Sequence, residues 1–387
     1  MKTAFDLSSS ARTVMGAGSV NTIGDILKSN GIKSAAVLMD NGIERSGIGK
    51  KVKDLLTASS INVSVVNDLP REPGVPDVNA VLEKVRKIKP DAVVAVGGGS
   101  VLDIGKLCSV LTLSENSILD LFDGAEVPVH STYTVLIPTT AGTGSEATRN
   151  AIIAIPSRNT KGAIVHSRLL PDLVILDPAL TLSLPPGITA TTGMDALCHA
   201  MECYFSKKAN ALNDLLAIDA IKRIAHSLRK AVSDGSDIDA RSDMLLASYY
   251  AGMCITLAGT NAVHAMSYPL GTTYHIPHGQ SNAMLLPFVM EYNLKALPEK
   301  TKVIAECFGY DSLNSSEKPY QYLINELHAL LVDLDINTSL KSFGVKSEDV
   351  ESLVNAAHEN RRLMDNNPLD LSKPQIRAVY TRLMEER

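Results

Sequence analysis

The chain has 387 residues, 45% of them hydrophobic and 20% charged, an ordinary globular composition with length for two or three domains and a core that needs no disulfides. A net charge of −5 excludes the basic footprint of a nucleic-acid binder and suits an anionic membrane surface poorly. No run of about 18 uncharged apolar residues is present to span a bilayer, and the opening MKTAFDLSSSARTV has no apolar signal-peptide core, so the reading is cytoplasmic. Residues 33–40 (KSAAVLMD) and 61–67 (INVSVVN) read as buried strands. Residues 77–88 carry a helical period in Val78, Val81, Leu82, Val85 and Ile88. A third strand at 91–96 (DAVVAV) runs straight into GGGS, and 132–137 and 173–176 continue the alternation. Strand–helix–strand order implies a parallel sheet with helices on its faces.

The pattern changes at Pro185, Pro186 and Gly187. Beyond them lie amphipathic segments at 189–206, 212–232, 240–258, 281–294, 318–333 and 347–363, with no strand expected. The chain therefore divides into an α/β domain over 1–184 and an all-helical domain over 185–387. Five cysteines, with no C-x-x-C pair, read as buried free thiols in a reducing compartment.

Gly97, Gly98, Gly99 and Ser100 link a strand to a helix, with Ser100 as N-cap and Asp103 three residues on. Glycines let a phosphate approach the backbone, and the helix N-terminus offers free N–H groups and the positive end of its dipole. Gly16-Ala17-Gly18 lacks the third glycine of the dinucleotide fingerprint, which would fall at Asn21, and reads as a turn ahead of the first strand. Asp40 ends its strand beside Asn41-Gly42. It suits either a bond to a ribose hydroxyl or an Asx-turn. The hydroxyl- and glycine-rich segment 138–147 follows another strand at the edge where open α/β sheets bind ligands.

Asp195 and His199 stand four apart in a helical segment and share one face. His264 and His278 follow in a Gly- and Pro-rich stretch. Imidazole and carboxylate together suit Fe(II) or Zn(II), although D-x-x-x-H alone is not a specific motif. Neither Cys198 nor Cys203 shares the 195/199 face.

GGGSVLDIGK (97–106), PTTAGTGSEAT (138–148), LVILDPALTLSLPPGITATTGMDALCHAMECY (173–204) and HAMSYPLGTTYHIPHGQSNAMLLPFVMEYN (264–293) resemble the iron-containing (group III) alcohol dehydrogenases, and so does the tail MDNNPLDLSKPQIRAVY (364–380). The resemblance runs from about residue 5 to 380, in the family's order and spacing. It implies a Rossmann-like N-terminal domain and an all-α metal-binding domain, the dehydroquinate-synthase-like architecture, with the active site in the cleft between. It assigns Asp195, His199, His264 and His278 as ligands of Fe(II) or Zn(II). It places the pyrophosphate of NAD on Gly97, Gly98, Gly99 and Ser100, with Thr139, Thr140, Thr143, Lys161 and Leu180 near the cofactor. Asp40 matches the position at which a carboxylate implies NAD over NADP. Expected partners are a small alcohol or aldehyde and further copies of the chain, as a homodimer or larger.

Two departures stand out. Many members carry His-Pro where this chain has Tyr268-Pro269, which moves the proton-relay role to Tyr268 or His275. Many also carry Pro-His where Pro287-Phe288 stands here. Arg149, directly after the hydroxyl-rich block, reads as a solvated arginine or as a contact for an anionic substrate. Within the superfamily, a glycerol-dehydrogenase-like enzyme or a dehydroquinate-synthase-like lyase fits the signature blocks less well. A hydroxyacid–oxoacid transhydrogenase, which keeps its nucleotide bound, fits the same residues. The complete ligand set argues against a non-catalytic nucleotide-binding protein.

Overall fold

Strands buried along their whole length need a layer on each face, and the apolar strands of the first half have one. The computed structural model describes residues 2–70, 73–129, 131–155 and 160–386. It forms two compact units, one over Ser8–Ser183 and the other over Leu184–Arg387 together with the residues up to Leu7. The first unit contains β1 (Arg12–Met15), α1 (Ile23–Ser29), β2 (Ser34–Asp40), α2 (Asn41–Arg45), α3 (Ile48–Ala58), β3 (Asn62–Leu69), α4 (Val75–Ile88) and β4 (Ala92–Gly97). It continues with α5 (Gly99–Leu111), α6 (Ile118–Phe122), β5 (Tyr133–Pro138), β6 (Asn150–Ile155), β7 (Thr160–Val165) and β8 (Leu173–Leu176).

Six strands make a sheet in the order β1-β8-β5-β4-β2-β3, every pairing parallel, while β6 and β7 form a separate antiparallel pair. Alternation along the strands separates two cores. Ala36 and Leu38 pack with α4 and α5 residues such as Val81 and Leu107. Ala35 and Val37 face the other way, with Ile23 and Leu27 of α1 and Leu56 of α3. β2 pairs with β3 on one side and β4 on the other, so the strand order reverses there. Leu38 pairs with Ala95 and Gly97 with Pro138, which brings Asp40, Gly97 and Pro138 to one carboxyl edge. A reversal of this kind opens a crevice at that edge.

β1 and the β6–β7 pair were not expected. β1 is four residues long and mostly exposed, so it lacks the apolar run that marks a buried strand. Gly16-Ala17-Gly18 accordingly follows the first strand rather than preceding it. Gly18 takes φ +80°, and its N–H donates to Asp177 Oδ1 at 2.9 Å. The expected cap at Ser100 is also corrected: the N-cap is Gly98, with no side-chain cap bond. Asp103 instead accepts from the Ile152 N–H (3.0 Å), Lys106 Nζ (3.0 Å) and the Ser145 hydroxyl.

The second unit is helical, with no strand among the described residues from Leu184 on. It comprises α7 (Pro186–Phe205), α8 (Ala211–Ser233), α9 (Ile238–Ala258), α10 (Ala262–Tyr274), α11 (His278–Ala296), α12 (Pro298–Cys307), α13 (Pro319–Asp333), α14 (Val350–Glu359), α15 (Arg361–Met364) and α16 (Lys373–Glu385). α10 escapes sequence reading because Pro269 lies inside it and Gly271 near its end. The two units divide between Ser183 and Leu184, and the residues up to Leu7 join the helical one: the Ala211 N–H donates to the Lys2 carbonyl and Lys2 Nζ to the Lys207 carbonyl. No helix is long and apolar enough to cross a membrane among the described residues. All five cysteines are free, four of them buried.

A buried ionic knot holds the 138–150 loop against α5. Lys106, fully buried, donates to Ser145 Oγ (2.9 Å), Thr148 Oγ1 (3.1 Å) and the Asn150 carbonyl (2.7 Å) as well as to Asp103. Glu146 lies buried beside it with Oε1 unpartnered, and burial pushes its carboxyl from 4.5 up to about 7. The folded state then binds this proton more tightly than the unfolded chain. Its contribution to stability is present below about pH 4.5 and is lost as pH rises through about 7. Glu146→Gln should match wild type at pH 4.5 and be more stable at pH 8, by up to about 3 kcal/mol. Denaturant titrations at the two pH values check this, and a gap that does not grow with pH would contradict it.

Candidate active site

The nucleotide-binding candidates meet at the carboxyl edge of the sheet. The first helical bond of α5 runs from the Leu102 N–H to the Gly98 carbonyl. The N–H groups of Gly99, Ser100 and Val101 therefore have no acceptor within the helix. The two loops interlock: a Cβ on Gly99 would lie 2.8 Å from the Thr143 side chain, and one on Gly98 3.6 Å from that of Thr140. A Cβ on Gly97 would meet Val101 at 2.8 Å. Thr139 is buried, and its N–H donates to the Gly97 carbonyl at 3.0 Å. Bare backbone with uncapped N–H groups at a helix N-terminus is the arrangement that binds a pyrophosphate.

Asp40 caps α2: Oδ1 accepts from the Gly42 N–H (2.6 Å) and the Ile43 N–H (2.9 Å). Both bonds use one oxygen, which leaves Oδ2 for a ribose hydroxyl, so the Asx-turn and the ribose contact are compatible. Leu180 is buried in the apolar core with Leu173 and Ile175. Lys161 belongs to β7, and its side chain lies outside the described residues. Arg149 is half-buried, and no carboxylate pairs with it among the described residues.

In the helical unit three helices converge. α7 carries Asp195 and His199 one turn apart, α10 carries His264 in its first turn, and α11 begins at His278. One ligand atom from each of the four lies within 4.8 Å of every other. Asp195 Oδ1 is 3.8 Å from His199 Nε2 and 3.7 Å from His278 Nε2. The His264 ring centroid lies 4.7 Å from that of His199 and 5.2 Å from that of His278. Asp195, His199 and His264 are buried, and His278 is half-buried. Burial alone would push the Asp195 carboxyl up, but the imidazoles of His199, His278 and His264 outweigh it and hold it below the usual carboxylate range. Three imidazole nitrogens and a carboxylate oxygen converging in a largely buried site fit a divalent Fe or Zn ion. Cys198 takes no part, its thiol held protonated well above the usual range by burial and by the Asp195 and Glu202 carboxylates.

Two residues that build this centre were missed from sequence. Glu202, fully buried on α7, holds His264 Nδ1 with Oε2 and accepts from the Val263 N–H (2.7 Å) and the Asn261 N–H (3.1 Å) with Oε1. Burial works against charge on His264, but this carboxylate outweighs it and raises the ring's pKa. A carboxylate on Nδ1 fixes the tautomer and aims the Nε2 lone pair into the centre. Glu202 lies seven residues after Asp195, so its spacing on the helix was a usable signal. Gly279 is the second: a Cβ there would stand 2.4 Å from the Thr191 carbonyl, so only glycine lets α11 meet α7 where His278 enters.

Of the relay candidates, Tyr268 is half-buried with its ring 6.1 Å from that of His278. Burial raises its hydroxyl pKa, and the Arg362 guanidinium opposes that rise. His275 is exposed and ends α10 with φ +54°. The second departure has a structural account: Phe288 is buried edge-on to His328 (5.2 Å) and beneath Arg382 (4.5 Å).

Both units match known proteins. Residues 10–178 fit the family pattern of iron-containing alcohol dehydrogenase, and residues 189–384 that of the C-terminal part of the Fe-containing alcohol dehydrogenase family. Long-chain-alcohol dehydrogenase 1 of Geobacillus thermodenitrificans is 38% identical over 370 residues, 95% of this chain and 93% of that one. Among solved structures, a 1,3-propanediol oxidoreductase is similar with a TM-score of 0.93 at 34% identity, over 98% of this chain and all of that one. The sulfoacetaldehyde reductase of Bifidobacterium kashiwanohense, solved with NAD+, is similar with a TM-score of 0.90 at 30% identity, over 99% of both chains. Fold and donor set define a metal-dependent oxidoreductase. The chain belongs to the iron-containing alcohol dehydrogenase family and is an alcohol dehydrogenase or aldehyde reductase.

Glu202→Gln should weaken metal binding roughly 10- to 100-fold with the helical content intact, read by competition against a chelator. Unchanged affinity would remove Glu202 from this role. Gly99→Ala should weaken nucleotide binding about tenfold or more while metal content stays at the wild-type level, since its Cβ enters the Thr143 side chain.

Proposed function

We propose that this enzyme moves a hydride between NAD(H) and a primary alcohol, small hydroxy compound or the matching aldehyde, at a centre held by Asp195, His199, His264 and His278. The observation that carries this reading is the convergence of those four ligand atoms within 4.8 Å, on three helices of one unit. A bound divalent ion supplies Lewis acidity toward the alcohol oxygen, and NAD supplies the hydride acceptor. The protein does the rest. Gly97, Gly98, Gly99 and Ser100 present backbone to the pyrophosphate, and Thr139, Thr140 and Thr143 line the neighbouring loop. Asp40 Oδ2 accepts from a ribose hydroxyl and would repel a 2′-phosphate, which favours NAD over NADP. Lys161 and Leu180 complete the cofactor surroundings on the strength of the family resemblance alone. Half-buried His278 leaves the centre open on one side. Tyr268, beside that ring, passes the alcohol proton outward, with His275 as the solvent-facing alternative. The reading also holds that the enzyme is cytoplasmic and assembles as a homodimer or larger, a point that light scattering on the purified protein measures.

The test is NADH formation with a panel of short alcohols and diols, on metal-stripped protein given back Fe(II), Zn(II) or nothing. Turnover should need one of the ions and vanish in His264→Ala. Nucleotide retained through purification, with activity only when an oxoacid is supplied and no added NAD needed, would replace this reading with a transhydrogenase. Asp40→Ala should lower the NAD:NADP ratio of kcat/KM about tenfold, roughly 1.4 kcal/mol. An unchanged ratio would remove Asp40 from cofactor choice.

A further inference from the structure

Tyr268 stands where many members of the family carry histidine, and its ring lies 6.1 Å from that of half-buried His278. The guanidinium of Arg362, on α15, faces the Tyr268 hydroxyl within hydrogen-bonding reach. It is also close enough for its charge to oppose protonation of the His264 ring. Arg362 is exposed, and no carboxylate pairs with it among the described residues. Its neighbour Arg361 differs, pairing with Asp365 and, at 3.5 Å, with Asp370. Arg362 precedes the 364–380 tail and so lies outside the blocks that carry the family resemblance.

The segment that presents Arg362 is fixed. Leu363 and Met364 are buried. Asn366 Nδ2 donates to the Thr260 carbonyl (3.0 Å), just ahead of α10, and Asn367 exchanges two bonds with Asn293 of α11 (2.9 and 3.0 Å). A guanidinium on such a base is preorganised, so less freedom is lost when it binds. The charges around it leave it a task. A divalent ion at the centre is balanced by the Asp195 and Glu202 carboxylates, and Arg362 then stands beside them as excess positive charge. A hydrocarbon alcohol offers that charge nothing, whereas a carboxylate or sulfonate accepts from both arms of the guanidinium fork.

We propose that Arg362 binds an anionic end of the substrate, and that the enzyme acts on short alcohols and aldehydes ending in a carboxylate or sulfonate. The inference rests on the reading of Asp195, His199, His264 and His278 as the centre where the alcohol oxygen reacts, and it names the substrate class of that site. Tyr268 stands between the two ends, beside the reacting centre on one side and the guanidinium on the other.

The probes are 3-hydroxypropanoate, 4-hydroxybutanoate and 2-hydroxyethanesulfonate, each paired with its uncharged amide of nearly the same shape. Calorimetric titration of the metal-loaded protein without NAD reads binding alone, and kcat/KM with NAD reads turnover. Wild type should bind at least one of the anions about tenfold or more tighter than its amide. Arg362→Met should bring that ratio to about one, in binding and in kcat/KM alike. Arg362→Lys should restore part of it, because the charge returns without the fork. Wild-type protein that binds and oxidises every amide as well as its anion would overturn the role of Arg362 and leave the dehydrogenase reading standing. An anion preference that survives in Arg362→Met would do the same. Oxidation of no anion, no amide and no simple alcohol would instead overturn the reading on which the inference rests.

Discussion

The helical unit depends on a buried negative charge with enough partners to stay there. Glu202 is fully enclosed, and an unpaired carboxylate in that position would cost several kcal/mol. Its carboxylate is satisfied by the His264 ring and by two backbone N–H groups at the start of α10, and Asn261 Nδ2 donates separately to the Glu202 backbone carbonyl at 2.8 Å. One side chain therefore sets the entry of α10, the rotation of the His264 ring and the protonation of its Nδ1. The close approach at Gly279 does for α11 what Glu202 does for α10. With α7 as the common partner, the three helices that carry Asp195, His199, His264 and His278 have little freedom left, so these four side chains are held together before anything binds.

The α/β unit solves a different problem with different means. It must present bare N–H groups at a strand end, and bare backbone is floppy unless something grips the loop around it. The grip is Lys106, whose ammonium ties the far end of the 138–150 loop to α5 in the interior. Rigidity is thus supplied by groups that need not touch the nucleotide. That division leaves Thr140 and Thr143 available to shape the surface of the glycine turn.

Much of this was legible. β2, β4, β5 and β8 are continuous apolar runs, and such runs between turn signals announce a parallel sheet. Asp195 and His199 could be paired because a helix repeats on a known period. What sequence could not supply is convergence over distance: His264 lies sixty-five residues from His199, and only the packing of α10 on α7 brings their rings together. Glu202 was passed over because it looks like an ordinary polar residue until α10 arrives, although its spacing from Asp195 already put it on the same side of α7. β1 was missed because its four residues carry no buried stripe, and α10 because Pro269 inside a helix looks like its end.

The attachment of the first residues to the helical unit has a temporal side. Lys2 hydrogen-bonds to Lys207, 205 positions later in the chain. A ribosome adding about 5–20 residues per second needs roughly 10–40 s to make that partner. By the end of that interval the described strands of the α/β unit have all been made, while residues 2–7 are still without their partner. Residues made ahead of the α/β unit therefore find their place only after it, once the helical unit has begun to form.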